Sequence, residues 1–316
     1  MKKSILVFFI SHCFFQSAAF ATKLINSSDL HSYHVSQQVP IDFLLFDVNL
    51  ANAYNDDSIH DNPMANVHVK TLSLINKKLG ISNQLIQAPF LRVKRRLESS
   101  QPTCSPAKLK TSDREKSYLF SAPTGLTLSY RLFSKTDIAH SHPQLFNRDG
   151  HLIHLNKLTD VNPNFRILQF SKQSYGDVLD TQLNSIHPIN KVSISSTETF
   201  EKTSDLFLKN RADFLLTAPV IFIRSYPQQI KSLHSYIVEG QQPYFVGYLM
   251  CNDFPETRQY LSDFNRQLFK FYQRGEFKAL LMKSHTQTFS HQVGNFVDDC
   301  LEVGECSHMH NAKSRK

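Results

Sequence analysis

Tryptophan is absent from the 316 residues, although phenylalanine (25) and tyrosine (11) are plentiful. Long apolar runs are missing after the opening residues, so no later segment is long enough to span a bilayer. The chain has no G-x-S-x-G, no H-E-x-x-H and no P-loop, which removes the common signatures of serine hydrolases, zinc proteases and nucleotide-phosphate binding. No internal repeat of about 20–50 residues occurs, nor a low-complexity linker, so a solenoid and a bead-on-string chain are both excluded. Basic charge is not concentrated. The formal charge of +8 is spread along the chain except for RVKRR, Arg92 to Arg96. That cluster reads as a solvated helix face rather than a nucleic-acid patch.

What is present begins with the opening stretch MKKSILVFFISHCFFQSAAFA. Two lysines, a short apolar core and a small-x-small site at Ala19-Phe20-Ala21 read as a secretory signal peptide over 1–21. His12 before Cys13 is not small, which argues against a lipoprotein cysteine. Removal of this leader takes two positive charges and leaves +6. It also takes one of five cysteines and leaves Cys104, Cys251, Cys300 and Cys306, an even number for an oxidising compartment. The expected location is the periplasm. About 295 residues then remain, enough for two lobes with separate cores.

Strand and helix patterns alternate through that remainder. Ile41–Val48 reads as a buried strand, Asn66–Gly80 as a helix closed by Gly80, Asn83–Ala88 as a strand, and Phe90–Ser99 as a basic helix after Pro89. Tyr118–Lys135 reads as two extended segments around a turn at Pro123-Thr124-Gly125. Further on, Phe165–Phe170 is a strand, Ser174–Ile186 a helix and Thr197–Arg211 an amphipathic helix. Ala212–Ile223 and Tyr244–Cys251 return to strand, and Glu256–Lys283 is a long helix broken near Gly275. Alternation of this kind implies an α/β fold with largely parallel sheets.

Two strand-to-helix turns carry ligand chemistry. Arg114, in KTSDREK, is the residue type that grips a carboxylate through two parallel hydrogen bonds. Thr111-Ser112-Asp113 before it suits a helix start with free N–H groups. The alternative for Arg114 is a surface ion pair with Asp113 or Glu115. Ser174-Tyr175-Gly176 forms the matching turn in the second half, and such turns are where open α/β sheets hold ligands.

The order of these segments, from ANVHVKTLSLINKKLG through TCSPAKLKTSDREKSYLFSAP, RILQFSKQSYGDVLD and NRADFLLTAP to YLMCNDFPETRQYLSDFNRQLFKFYQRGEFKALL, resembles the family 3 bacterial solute-binding proteins of ABC uptake systems. These are the periplasmic polar amino-acid-binding type, and a divergent branch of them is the nearest likeness. The resemblance implies a two-lobed, type II periplasmic-binding-protein fold with two crossing hinge strands. Phe120–Pro123 would lead into the first crossing, and the second would lie just before Val246. The implied organisation is a first lobe over 22–125 plus 240–290, a second over 126–239, and a tail over 291–316. It further implies a small-molecule ligand, an ABC permease or sensor domain as partner, a monomer, and neither cofactor, metal nor nucleic acid.

Carried over residue by residue, the family's carboxylate-binding arginine in T-x-x-R falls on Arg114, with Thr111 matching. Small hydroxyl residues usually precede that run; here Lys108, Leu109 and Lys110 stand instead. The lobe-two turn falls on Ser174, Tyr175 and Gly176. The acid that holds a ligand ammonium is missing where Thr217 and Ala218 stand, which points to a carboxylate-bearing or neutral polar ligand rather than an ordinary α-amino acid. Phe46, Phe90 and Tyr118 are candidates for the cleft wall, and Asp47 for a ligand contact or a turn cap. On neighbouring strands of one lobe, Cys104 and Cys251 would form a disulfide, and Cys300 with Cys306 a second one. The alternative for the tail is a zinc site of Cys300, Cys306, His308 and His310. The function implied is solute capture without chemistry. The alternatives are a periplasmic enzyme on this fold, a dehydratase or lytic transglycosylase using a cleft acid such as Glu198 or Asp213, and a scaffold or sensory protein.

Overall fold

The computed structural model describes residues 39–61, 66–171, 173–194, 200–242 and 244–284. The signal-peptide segment, Glu198, Cys300, Cys306, His308 and His310 lie outside them. The first sheet starts with β1 (Asp42–Leu45), α1 (Val48–Asn55), α2 (Val67–Leu79), β2 (Leu85–Gln87), α3 (Phe90–Leu97) and β3 (Thr103–Lys108). A single turn α4 (Ser112–Glu115) and the short β4 (Leu119–Phe120) follow, and then the crossing strand β5 (Gly125–Leu128). The second sheet is built from β6 (Arg131–Ser134), the one-turn helices α5 (Ile138–Ser141) and α6 (Leu158–Val161), β7 (Ile167–Phe170), α7 (Asp177–Ser185), β8 (Lys191–Ile194), α8 (Phe200–Leu208), β9 (Phe214–Thr217), α9 (Pro219–Ser225) and β10 (His234–Tyr236). The chain returns through β11 (Tyr244–Cys251) and ends in α10 (Pro255–Gln273) and α11 (Glu276–Ser284).

The strand orders are β2-β1-β3-β11-β4, with β5 on β11, and β10-β6-β9-β7-β8. In each sheet one strand runs against the others. β1, β2 and β3 run together, and β4 and β5 share their direction because each is antiparallel to β11. β7, β8 and β9 run together, and β10 shares their direction because it is antiparallel to β6. Both sheets are thus largely parallel in direction, each with one reversed strand, β11 in the first and β6 in the second. The cause is the double crossing. β11 re-enters the first sheet against the direction of β3 and β4, and β6 leaves β5 to run against β9. The first half of β11 (Tyr244–Gly247) pairs with β5, and its second half with β3 and β4, so one strand serves both the crossing and the sheet.

Two sets of buried side chains fill the two lobes. Phe43, Leu72, Ile75, Leu126, Phe264 and Leu268 belong to the first, which draws on residues before Tyr130 and after Pro243. Leu132, Phe165, Ile167, Leu168, Phe207 and Phe222 belong to the second, drawn from the segment between. Helix ends follow their sequence signals. Asn66 accepts the His68 N–H at 3.0 Å to start α2, and Gly80 (φ 68°) closes it in the left-handed conformation that glycine adopts without steric cost. Pro255 opens α10 at its first position, and Gly275 (φ 71°) separates α10 from α11. The basic helix α3 buries Val93 and Leu97 and turns its charges outward; Arg96 pairs with Asp42, and Lys94 with Glu98 at 3.6 Å.

Three segments depart from the sequence reading. Ala212–Ile223 is not strand throughout: β9 stops at Thr217, and Pro219 takes the first position of α9. An apolar run of that length fits a strand and a buried helix equally, and the proline's fixed φ decides it. Tyr118–Lys135 forms three short strands rather than two segments. The helix expected from Ser174 begins at Asp177, because Gly176 (φ 95°, ψ 157°) turns the backbone first. The register pairs Cys104 with Cys251 across β3 and β11, and a disulfide joins them.

Candidate functional site: the interlobe cleft

A cavity of about 930 Å³ lies between the lobes, large among small-molecule sites. Its first-lobe wall is made where β1 and β3 end and α4 begins. Phe46 and Asp47 follow β1, Lys108 ends β3, and Arg114 stands on α4. Its second-lobe wall is the end of β7 and the turn into α7, with Phe170, Ser174 and Asp180.

Arg114 faces this cavity. One guanidinium nitrogen donates to the Leu109 carbonyl at 2.9 Å. Burial lowers its pKa, offset by the fields of Tyr130, Asp180, Tyr118 and Asp177. The surface pairing that competes for it in sequence is not formed: Asp113 pairs with Lys116 at 2.9 Å and Glu115 with Lys110 at 2.8 Å. Lys108 sits beside it with its ammonium 5.7 Å from the centre of the Phe90 ring. Desolvation first, and Arg114 second, bring the Lys108 pKa down to about 7. A neighbouring guanidinium and a lost hydration shell both disfavour its charged form.

The aromatic residues meet across the cleft. Phe46 stacks on Phe90 with ring centres 4.1 Å apart and planes 6° apart, and Phe170 of the second lobe meets both edge-on at 5.8 and 5.9 Å. Deeper in, Tyr130 stacks on Phe245 of the returning strand at 5.3 Å and meets Tyr175 edge-on at 4.8 Å. Burial pushes the Tyr130 hydroxyl up to about 12, so it is a neutral donor and acceptor.

The second-lobe turn is already engaged. Asp180 accepts from the Ser174 hydroxyl at 2.6 Å and from the Tyr175 N–H at 2.7 Å. The Gly176 N–H donates to the Ser174 hydroxyl at 3.3 Å. Burial raises the Asp180 pKa, and these hydrogen bonds together with Arg114 oppose the shift. One further bond crosses between the lobes, from the Ser112 hydroxyl to Asp177 at 3.1 Å.

Of the residues singled out in the sequence, Arg114, Ser174, Phe46 and Asp47 line the cavity, as do Phe90 and Tyr118. Asp47 also caps α1, accepting from the N–H groups of Asn49 and Leu50 at 3.0 and 3.1 Å. Thr111, Tyr175 and Gly176 stand behind the wall. The Thr111 hydroxyl caps α4 by accepting the Arg114 N–H at 3.4 Å. The buried Tyr175 ring packs on Tyr130, and its hydroxyl accepts the Phe170 N–H at 2.7 Å. Asp213, the enzyme candidate, lies away from this cavity on the surface and accepts the Arg166 N–H at 2.8 Å. Sequence reasoning missed Asp180. Its signal was an acid one turn into a helix that follows a hydroxyl-bearing turn. Among the described residues no group of His, Cys, Asp and Glu could hold a metal ion, and no helix is long and apolar enough to cross a membrane.

No protein-family model matches the sequence, and neither does any curated protein sequence. Solved structures do match. One, from work on glutathione import in Gram-positive bacteria via GshT and the cystine importer TcyBC of Streptococcus mutans, superposes with TM-score 0.54 at 15% identity, over 78% of this chain and 95% of that one. An ABC uptake transporter substrate-binding protein of Streptococcus pneumoniae with bound histidine gives 0.52 at 14%, over 79% and 93%. An L-cystine ABC transporter protein of Listeria monocytogenes gives 0.51 at 14%, over 82% and 96%. The fold is that of the two-lobed periplasmic binding proteins. Within this binding-protein fold β5 and β11 are the two crossing strands, and Arg114 and Asp180 stand on opposite lobes.

Proposed function

We propose that the protein is an extracytoplasmic solute-binding protein, which closes its two lobes over a small carboxylate-bearing ligand and presents it to an ABC permease or a sensor domain. The observation that carries the reading is Arg114: a half-buried guanidinium in the cleft wall, bonded to a backbone carbonyl and in no ion pair with a carboxylate among the described residues. Asp180 and Asp177 offset the desolvation of this cation only in part, which leaves it costly in the empty protein, and a ligand carboxylate removes that cost. The solved structures of similar fold include one that holds histidine. That likeness supports capture of a small polar solute, whereas the missing acid near Thr217 and Ala218 argues against an ordinary α-amino acid.

Binding by closure needs no chemistry, only a ligand that favours the closed state over the open one. A thermal-shift panel of amino acids, organic acids and oligosaccharides tests the proposal. A carboxylate should raise the melting temperature, and Arg114→Ala should abolish that rise. Unchanged affinity in Arg114→Ala removes Arg114 from the site. Turnover of a bound compound turns the reading to an enzyme, and silence across the panel turns it to a scaffold.

A further inference from the structure

The charged groups of the cleft narrow the class of solute, on the footing of the binding role just proposed. Each acid on the wall is held by its own lobe. Glu98 pairs with Lys94 and Asp113 with Lys116. Asp47 caps α1, and Asp180 ties down the turn before α7 with both oxygens. The cations are not balanced in the same way. Lys191, on the second-lobe wall, donates to the Leu183 carbonyl at 3.0 Å, and Lys283 is exposed on the last helix. Lys108 and Arg114 remain side by side on the first-lobe wall. Neither forms an ion pair with a carboxylate among the described residues; one rests on a carbonyl and the other on the face of Phe90.

One carboxylate neutralises one of these cations and leaves the other desolvated. We propose that the solute is dianionic, with one negative charge against Arg114, the second against Lys108, and no ammonium group. The donors of the second-lobe turn, the Ser174 hydroxyl and the Tyr175 N–H, are already taken by Asp180, so the charge falls to Lys108 and Arg114 on the first lobe. Asp180 in turn repels an anion placed against it, which sets the solute's uncharged part toward the second lobe. Because Lys108 titrates at about 7 in the empty protein, binding above that pH draws a proton from solvent as the anion restores its ammonium form.

The test is calorimetric titration of the full chain at pH 8, in two buffers of different ionisation enthalpy. The probes are succinate, glutarate and adipate against butyrate, valerate and hexanoate, with glutamate and glycerol 3-phosphate beside them. The best dicarboxylate or the phosphate ester should bind at least tenfold more tightly than any monocarboxylate, with uptake of a fraction of a proton. Preference for the phosphate ester assigns both charges to one group, and preference for a dicarboxylate assigns them to two; either supports the dianion. Lys108→Met should erase both the preference and the proton uptake. Equal binding of glutarate and valerate overturns the inference and leaves a carboxylate receptor standing. Glutamate tighter than glutarate also overturns it, since Asp180 is then receiving an ammonium. If none of these anions binds, the carboxylate reading of the site falls with it. The wild-type ranking and the buffer dependence need no variant, so a misfolded Lys108→Met cannot shelter the idea.

Discussion

Lys108 and Arg114 are desolvated cations six positions apart, joined by a loop that bends back through Leu109. Removing the guanidinium should cost a carboxylate ligand one or two charge-assisted hydrogen bonds, about 1.5–3 kcal/mol each. Arg114→Ala should therefore weaken binding by roughly tenfold to more than ten-thousandfold, read by calorimetry. Lys108 also leaves a signature in the empty protein. Its pKa falls from 10.5 to about 7 on folding, so between those values the unfolded chain carries the extra proton. The stability contribution of this group rises with pH through that window and is level below about 7. Denaturant melts of wild type and Lys108→Met between pH 7 and 10 should diverge in slope accordingly; parallel profiles would show that Lys108 titrates normally. Arg114 was legible in the sequence because T-x-x-R keeps its own local geometry. Asp180 was not, since its bonds to Ser174 and Tyr175 depend on the backbone turning at Gly176 through a φ of 95°. Lys108 was visible only as a lysine where small hydroxyl residues were expected, and its burial depends on how Phe90 and Arg114 fold around it.

Helices with a strong cap were legible as elements: α2 between Asn66 and Gly80, α3 after Pro89, and the break at Gly275. The apolar run from Phe214 to Ile223 was not, because hydrophobicity without period cannot separate strand from buried helix. The crossing strands pair Gly125 with Gly247, and both pack on the buried His68 ring, whose Nδ1 lies 3.1 Å from the Thr124 hydroxyl. A Cβ on Gly247 would stand 2.3 Å from that ring, and one on Gly125 would stand 2.5 Å from Val67 and 2.7 Å from the ring. Overpacking of this kind costs about 1–3 kcal/mol or more. Gly247→Ala should lower the unfolding free energy measured in urea by that amount, and His68→Ala in the same chain should recover part of it. No recovery would mean that the backbone itself, and not the imidazole, sets the limit.

At the scale of the whole molecule the lobes are joined by two crossing strands and touch through Phe170 against Phe46 and Phe90 and through Ser112 with Asp177. If those contacts favour the closed form, Phe170→Ala should lower ligand affinity about tenfold by reducing the closed population, with a larger radius of gyration in solution scattering. An unchanged radius and affinity would show the ring to be passive. The two-lobed plan was legible because strand and helix alternate twice with a return strand at the end. The one reversed strand in each sheet was not, because it follows from the double crossing rather than from any local pattern. Replacing both Cys104 and Cys251 by alanine should cost about 2–5 kcal/mol in unfolding free energy, measurable against the same chain treated with reductant.

That bond joins residues 147 positions apart, and everything that builds the second lobe is threaded between them. A chain emerging from its amino end therefore makes Cys104 early, and its partner only after the whole inserted lobe is delivered. The first lobe is completed last, after Cys251 arrives on the returning strand and α10 and α11 add Phe264, Leu268 and Leu281 to its core. Assembly of this protein is thus a nested process in which the inner body is ready before the outer one can close.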